Sequence, residues 1–266
     1  MDNVLGVSPR DMEQYIAMQY GILNPNVSLL FMAGKRGTGK TILNFSSIDQ
    51  ALVYEKGERI KRGWPENEKN GLYKKVIILK APEILGGERR NVGFLPGDLF
   101  EKIRPHIQPY IDAHEETILN ELAIPFEDLI RHPRYDNGYG MRTDQGKQPI
   151  GSAHMPPNSS LIEVRYSGFM GGASIGKTLM LIDEAQDFTP YEIKTLIERV
   201  GEGSKLIISG DPAQTRNPFC SRKINGFTYA IKHYLPKPYS MLVQLMKNYR
   251  HQMSEDSEEM PALNPV

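Results

Sequence analysis

Short apolar runs alternate along the chain with longer stretches in which apolar residues recur every three or four positions. The runs are Val27 to Met32, Val76 to Lys80, Leu161 to Tyr166, Leu179 to Ile182, Leu206 to Ser209 and Met241 to Leu245. Each has strand length, and Val27 to Met32 and Val76 to Lys80 read as buried strands. The helical stretches are bounded by recognisable signals. Ser8 with Pro9 reads as a helix start, followed by Met12, Ile16 and Tyr20 on one stripe to about Gly21. Ile42, Phe45, Ile48 and Leu52 predict a helix that Gly57 stops. Pro105 opens another, carrying Ile107 and Ile111 and remaining weakly helical to about Ile130. Thr189-Pro190-Tyr191-Glu192 is a capping box, and Ile193, Leu196, Ile197 and Val200 follow it before Gly201. Strands alternating with amphipathic helices predict an α/β fold, a mostly parallel sheet with helices on both faces.

Composition narrows this picture. At 266 residues and 30.1 kDa the chain suits one large domain, expected over 1–250. Asp136 to Ser160, with four glycines and three prolines, reads as a mobile insertion. Residues 251–266 carry four carboxylates and no Lys or Arg, which predicts a disordered acidic tail. Thirty-two basic residues balance 32 acidic ones, so no global field steers a polyanion and any nucleic-acid contact must be local. The single cysteine, Cys220, excludes a disulfide framework and a cysteine-based zinc site. No apolar run approaches the roughly 20 residues of a membrane helix, and the N-terminus lacks a secretory pattern. A soluble, cytoplasmic protein is expected.

The chemistry concentrates after the apolar runs. Gly34-Lys35-Arg36-Gly37-Thr38-Gly39-Lys40-Thr41 fits G-x-x-x-x-G-K-T between a strand and a helix. There, backbone N–H groups cradle a phosphate, Lys40 neutralises the β/γ oxygens and Thr41 ligates Mg²⁺. The pattern recurs at Gly171 to Thr178, but a strand follows it where a phosphate loop demands a helix. The second copy therefore reads as a loop feeding a strand. That strand ends in Asp183-Glu184: Asp183 is expected to hold Mg²⁺ and Glu184 to activate a hydrolytic water. Gly210-Asp211-Pro212-Ala213-Gln214 ends the next strand at the same edge, and Gln214 is a candidate to orient water or sense the γ-phosphate. A cation for the outer face of that phosphate is missing from these segments. Arg250 and Arg199 are the candidates, with Arg250 preferred because Arg199 lies between Glu198 and Glu202.

Four segments together resemble the PhoH family of P-loop ATPases: Pro9 to Tyr15, Gly93 to Pro105, Leu181 to Asp187 with Gly201 to Lys205, and Gly210 to Gln214 followed by Asn225-Gly226. The resemblance implies a RecA-like core, ATP with Mg²⁺, an association with single-stranded RNA or DNA, and a homo-oligomer such as a hexameric ring. It also implies that Gln14 reads adenine and that Arg250, in Asn248-Tyr249-Arg250, is a family arginine. Asp-Glu-Ala-Gln-Asp and Asn-Tyr-Arg are similar to superfamily-one helicase motifs, yet only one RecA-like unit fits this length. Where the family carries Arg-Gly-Arg, this chain has Gly171-Gly172-Ala173.

An ATPase coupled to nucleic-acid handling is the leading expectation. Lys56, Arg59, Lys61 and Arg62 with Trp64 offer a basic-aromatic segment for it, although Glu58, Glu66 and Glu68 are interspersed as in a solvated loop. A small-molecule kinase would instead need an acceptor pocket and ignore polynucleotide. A nucleotide-switched interaction module with little turnover would not need Glu184.

Overall fold

The computed structural model describes residues 3–54, 60–61, 71–81, 84–85, 88–89, 99–121, 124–131, 153–154, 161–166 and 174–256. Seven strands form one sheet: β1 (Leu29–Gly34), β2 (Lys75–Lys80), β3 (Ile130–Arg131), β4 (Ile162–Tyr166), β5 (Thr178–Ile182), β6 (Lys205–Gly210) and β7 (Ser240–Leu245). Their order is β7-β1-β6-β5-β2-β4-β3, and every neighbouring pair is parallel. Because side chains alternate along a strand, each central strand feeds two cores. Leu30, Met32, Ile78, Leu181 and Ile207 enter one, and Leu29, Phe31, Ile77, Ile182 and Ile208 the other. The first core is closed by the segment Ala17–Ile22 that continues α1 (Met12–Ile16), by α2 (Lys40–Ser46) and by α3 (Leu99–Glu115), through Met18, Phe45, Ile107 and Tyr110. The second is closed by α6 (Pro190–Ile197) and α7 (Gly226–Tyr234) through Ile193, Leu196 and Phe227. Between them, α4 (Ile118–Glu121) and α5 (Phe126–Leu129) precede β3.

One strand, β6, lies between β1, which ends in the glycine loop, and β5, which ends in Asp183-Glu184. This is the RecA-like arrangement of a P-loop NTPase, and it brings both segments to the carboxyl edge of the sheet.

Several local expectations are corrected. The first helix starts at Met12, not at Ser8-Pro9, because the carboxylate of Asp11 takes the cap, accepting from Gln14 N at 2.7 Å. Its predicted stripe is largely outward, with Met12 66% and Tyr20 56% exposed. The backbone widens over Ala17–Ile22, where Leu23 N donates to Met18 O at 2.9 Å, and this shifts the buried set to Ala17, Met18 and Ile22. The helix of Ile42 and Phe45 ends as a tighter turn at Ala51, before Gly57, and Val53–Tyr54 then pairs antiparallel with Ala153–His154. The third helix begins at Leu99 and runs through Pro105, its break overridden by packing of Ile107 and Tyr110. The weakly helical stretch ends in a strand, β3, seated on β4. The acidic tail opens with a helical turn, α8 (Gln252–Asp256), where His251 Nδ1 accepts from Met253 N at 3.2 Å.

The rest of the 136–160 insertion, residues 257–266, the segment Gly93 to Asp98, Gly171 to Ala173, and Lys56, Arg59, Arg62 and Trp64 lie outside the described residues. Among the described residues no helix is long and apolar enough to cross a membrane.

Candidate active site

The loop from Gly34 to Gly39 turns back on itself through left-handed backbone at Gly37 (φ +76°) and Gly39 (φ +88°), conformations that exclude most side chains. Gly39 is the N-cap of α2, so Lys40 opens that helix and its side chain folds back into the loop. Lys40 Nζ donates to Gly34 O and Lys35 O, both at 2.7 Å, and Thr38 Oγ1 donates to Lys35 O at 2.9 Å. Lys40 is only 9% exposed. Burial pulls its pKa below the usual lysine range; Asp183, Glu184 and Asp211 oppose that shift, and Arg250 adds to it. A buried cation ringed by loop carbonyls fits a phosphate group. Lys35 and Arg36, at the loop tip, are exposed, and Lys35 contributes its carbonyl.

Thr41, on the first turn of α2, donates Oγ1 to Asp183 Oδ2 at 3.3 Å, joining residues 142 positions apart. Asp183 is 4% exposed and accepts at Oδ1 from Ser209 Oγ (2.7 Å) and Glu184 N (3.0 Å). Asn44 Nδ2 supports Ser209 Oγ at 2.8 Å. A hydroxyl beside a buried carboxylate, one step from the loop, is an oxygen donor set that suits Mg²⁺. Lys80, at the end of β2, stands 3.9 Å from Asp183 Oδ2 and 4.9 Å from the centroid of the Tyr110 ring. Sequence reasoning passed over Lys80, although a lysine closing a buried strand at this edge was the available signal.

Glu184 adopts left-handed backbone, φ 53°, an uncommon state for a residue with a side chain and one that recurs at functional sites. Its Oε2 accepts from Gln186 Nε2 at 2.7 Å. From β6, Asp211 accepts from Ala213 N at 2.9 Å and from Gln214 Nε2 at 2.6 Å, which holds Gln214 at the same edge.

Two more segments close on the loop. Gln14 is buried; its Nε2 donates to Thr38 O at 3.0 Å and its Oε1 accepts from Arg10 N at 2.9 Å. The amide that the family resemblance assigns to adenine is thus engaged with the loop backbone. From the other side, Tyr249 N donates to Gly37 O at 2.9 Å, and a Cβ on Gly37 would lie 2.9 Å from Arg250 Cγ. Arg250 is therefore beside the loop of its own chain. Tyr249, which sequence reasoning did not single out, has Arg10 and Lys247 at 5.4 and 5.3 Å from its ring centroid.

The second glycine-lysine copy is elsewhere. Lys177 precedes β5 with φ 49°, and its N donates to Glu202 O at 2.9 Å. It lies at the amino edge of the sheet, one strand length from Asp183. Arg199 is at that edge too, its carbonyl accepting from Ile175 N at 2.8 Å.

The model of a family described as PhoH-like protein matches residues 66–260. The chain is 30% identical over 254 residues to Protein PhoH2 of Bacillus subtilis, covering 96% of this chain and 47% of that one. It is 32% identical over 188 residues to the PhoH-like protein of Synechocystis, covering 71% of this chain and 42% of that one. It thus spans under half the length of these curated relatives. Among solved structures it is similar to the Pif1 helicase of Candida albicans at 15% identity and a TM-score of 0.36, over 94% of this chain and 43% of that one.

Proposed function

This chain belongs to the PhoH-like protein family, and from its site we propose that it is a Mg²⁺-dependent ATPase that couples hydrolysis to handling of single-stranded RNA or DNA. The observation that carries the hydrolytic reading is the contact of Thr41 Oγ1 with Asp183 Oδ2 beside the buried Lys40. It joins a phosphate cradle to a carboxylate pair across two strands, which phosphoryl transfer needs and a plain glycine turn does not.

In this reading the glycine loop and Lys40 hold the β- and γ-phosphates, and Thr41 with Asp183 holds the metal. Mg²⁺ would supply charge neutralisation on the phosphate oxygens. Glu184 takes the proton of the attacking water, Gln214 orients that water, and Arg250 offsets charge developing on the γ-phosphate. Gln14 braces the loop through Thr38 O, and its adenine role follows the family resemblance. The coupling to nucleic acid follows the family resemblance, as does assembly into a homo-oligomeric ring.

ATP turnover measured with Mg²⁺, alone and with single-stranded RNA, single-stranded DNA or duplex, tests the proposal. Turnover that depends on Mg²⁺ and rises with one of the single strands supports it. Tight ATP binding without turnover under all conditions would favour a nucleotide switch, and phosphate transfer to a small acceptor would favour a kinase.

A further inference from the structure

The buried amide of Gln186 has no part in the reading above, yet it touches both strand ends that do. It sits in the tight turn Ala185–Asp187 and is 1% exposed. Its Oε1 accepts from Asp211 N at 3.0 Å, and its Nε2 donates to Glu184 Oε2 at 2.7 Å. The orientation is set by chemistry: a backbone N–H can only donate, so the amide oxygen faces Asp211 and the NH₂ faces a carboxylate. Asp211 in turn accepts from Gln214 Nε2, so hydrogen bonds run without a gap from Glu184 through Gln186 and Asp211 to Gln214.

Gln186 does not anchor this loop alone. Asp187 anchors it separately, accepting from Arg216 N, Nε and Nη2 at 2.7 to 2.9 Å, while Asn217 Nδ2 donates to the Asp187 carbonyl at 2.8 Å. What Gln186 adds is a fixed direction for the Glu184 carboxylate, whose left-handed backbone lies outside the regular strand. A neutral donor suits that task, because it orients a carboxylate without the full positive charge that would depress its proton affinity.

We infer that Gln186 is a positioning residue: it aims Glu184 at the attacking water and ties that aim to the segment Asp211 to Gln214. The inference rests on the assignment of Glu184 as the base. It predicts that Gln186→Met, which keeps length and packing but forms neither hydrogen bond, loses about 100-fold in kcat with nucleotide affinity unchanged. Gly210→Ala reaches the same amide from outside, since a Cβ there would lie 2.6 Å from Gln186 Oε1, and it too should lower kcat.

The experiment is a double-mutant cycle on the full chain, with kcat for ATP and ADP affinity measured for each variant. Glu184→Gln alone comes first: turnover retained there overturns the base assignment, and the inference falls with it. If that variant is inactive while Gln186→Met and Gly210→Ala turn over normally, only the inference is overturned. The expected result is that neither change lowers the residual rate of Glu184→Gln further. Additive losses, or a parallel loss of ADP affinity, mean a structural role and also overturn it. Gly210→Ala keeps the test decisive if Gln186→Met does not fold.

Discussion

Tyr249 and Asp11, 238 residues apart, are joined by a hydrogen bond of 2.5 Å from the tyrosine hydroxyl to Asp11 Oδ2. Asp11 caps the helix that carries Gln14, and Tyr249 N holds Gly37 O. The bond therefore closes a ring around the glycine loop, with Gln14 gripping Thr38 on one side and Tyr249 gripping Gly37 on the other. Tyr249→Phe opens the ring while leaving the backbone grip in place. Nucleotide affinity should fall by about tenfold, the worth of one charge-assisted hydrogen bond, with kcat nearly unchanged. Titration with a fluorescent ADP analogue measures it.

The two glycine-lysine copies should behave differently. Lys40 is buried in its loop at the carboxyl edge, whereas Lys177 is exposed at the amino edge. Lys40→Ala should abolish tight ATP binding and Lys177→Ala should leave it near wild type. Calorimetric titration of both variants decides the matter, and equal losses would contradict a single site.

Arg250 lies against Gly37 of the same chain, so it should act within its own subunit. Arg250→Ala is expected to reduce kcat, by up to about 10³-fold if it stabilises transferring charge, without loss of ADP affinity. Mixing Arg250→Ala with Lys40→Ala should then restore no activity. Recovery in the mixture would mean that the arginine serves a neighbouring subunit.

His114 makes stability depend on acid. Burial, the largest effect, lowers its pKa, while the Ile124 carbonyl at 2.9 Å and the charges of Glu127 and Glu115 oppose the shift. The fold thus favours the neutral ring, and in the unfolded chain the group titrates near its ordinary value of about 6.5. The contribution is complete above that pH and is lost as pH falls through it toward the lower folded value. The melting temperature should drop on acidification, and His114→Gln should flatten part of that drop. Thermal denaturation across the acid range reads both.

Lys205 ties the far edge of the sheet to the first helix. Its Nζ donates to the carbonyls of Gly21, Ile22 and Asn24 at 2.8, 2.5 and 2.9 Å, where the widened helix ends. Burial pulls its pKa down to about 7. Lys205→Met leaves those carbonyls buried without their donor. It should cost about 2 kcal/mol or more, read as a lower midpoint in urea, with the ATP site unaffected.

Much of this was legible along the chain. Strands β1, β2, β5 and β6 follow apolar runs because burial on both faces removes polar alternation, while β4 and the edge strand β7 keep polar residues on a partly exposed face. The loop at Gly34 and the carboxylates after Ile182 stood out because phosphate and metal chemistry demand residue types at fixed spacing. Three features depended on contacts distant in sequence. The first helix starts where Asp11 caps it, and its inward face follows the widened turn after Ile16, so neither could be read from periodicity. The strand Ile130–Arg131 is too short to signal itself and exists through its pairing with β4. Lys80 lies in no motif, and the strings that contain Gln186 and Tyr249 do not state what those two side chains touch; parallel pairing and chain return bring all three to the site. Which residues have phosphate and metal chemistry is readable along the chain, since that is a property of side chains and short spacings. The tertiary structure adds how the copy at Gly34, already marked in the sequence by the helix that follows it, comes to face the Asp183-Glu184 pair while Lys177 does not. The reason is strand direction: Lys40 follows its strand and Lys177 precedes its own, and in a parallel sheet the two lie at opposite edges.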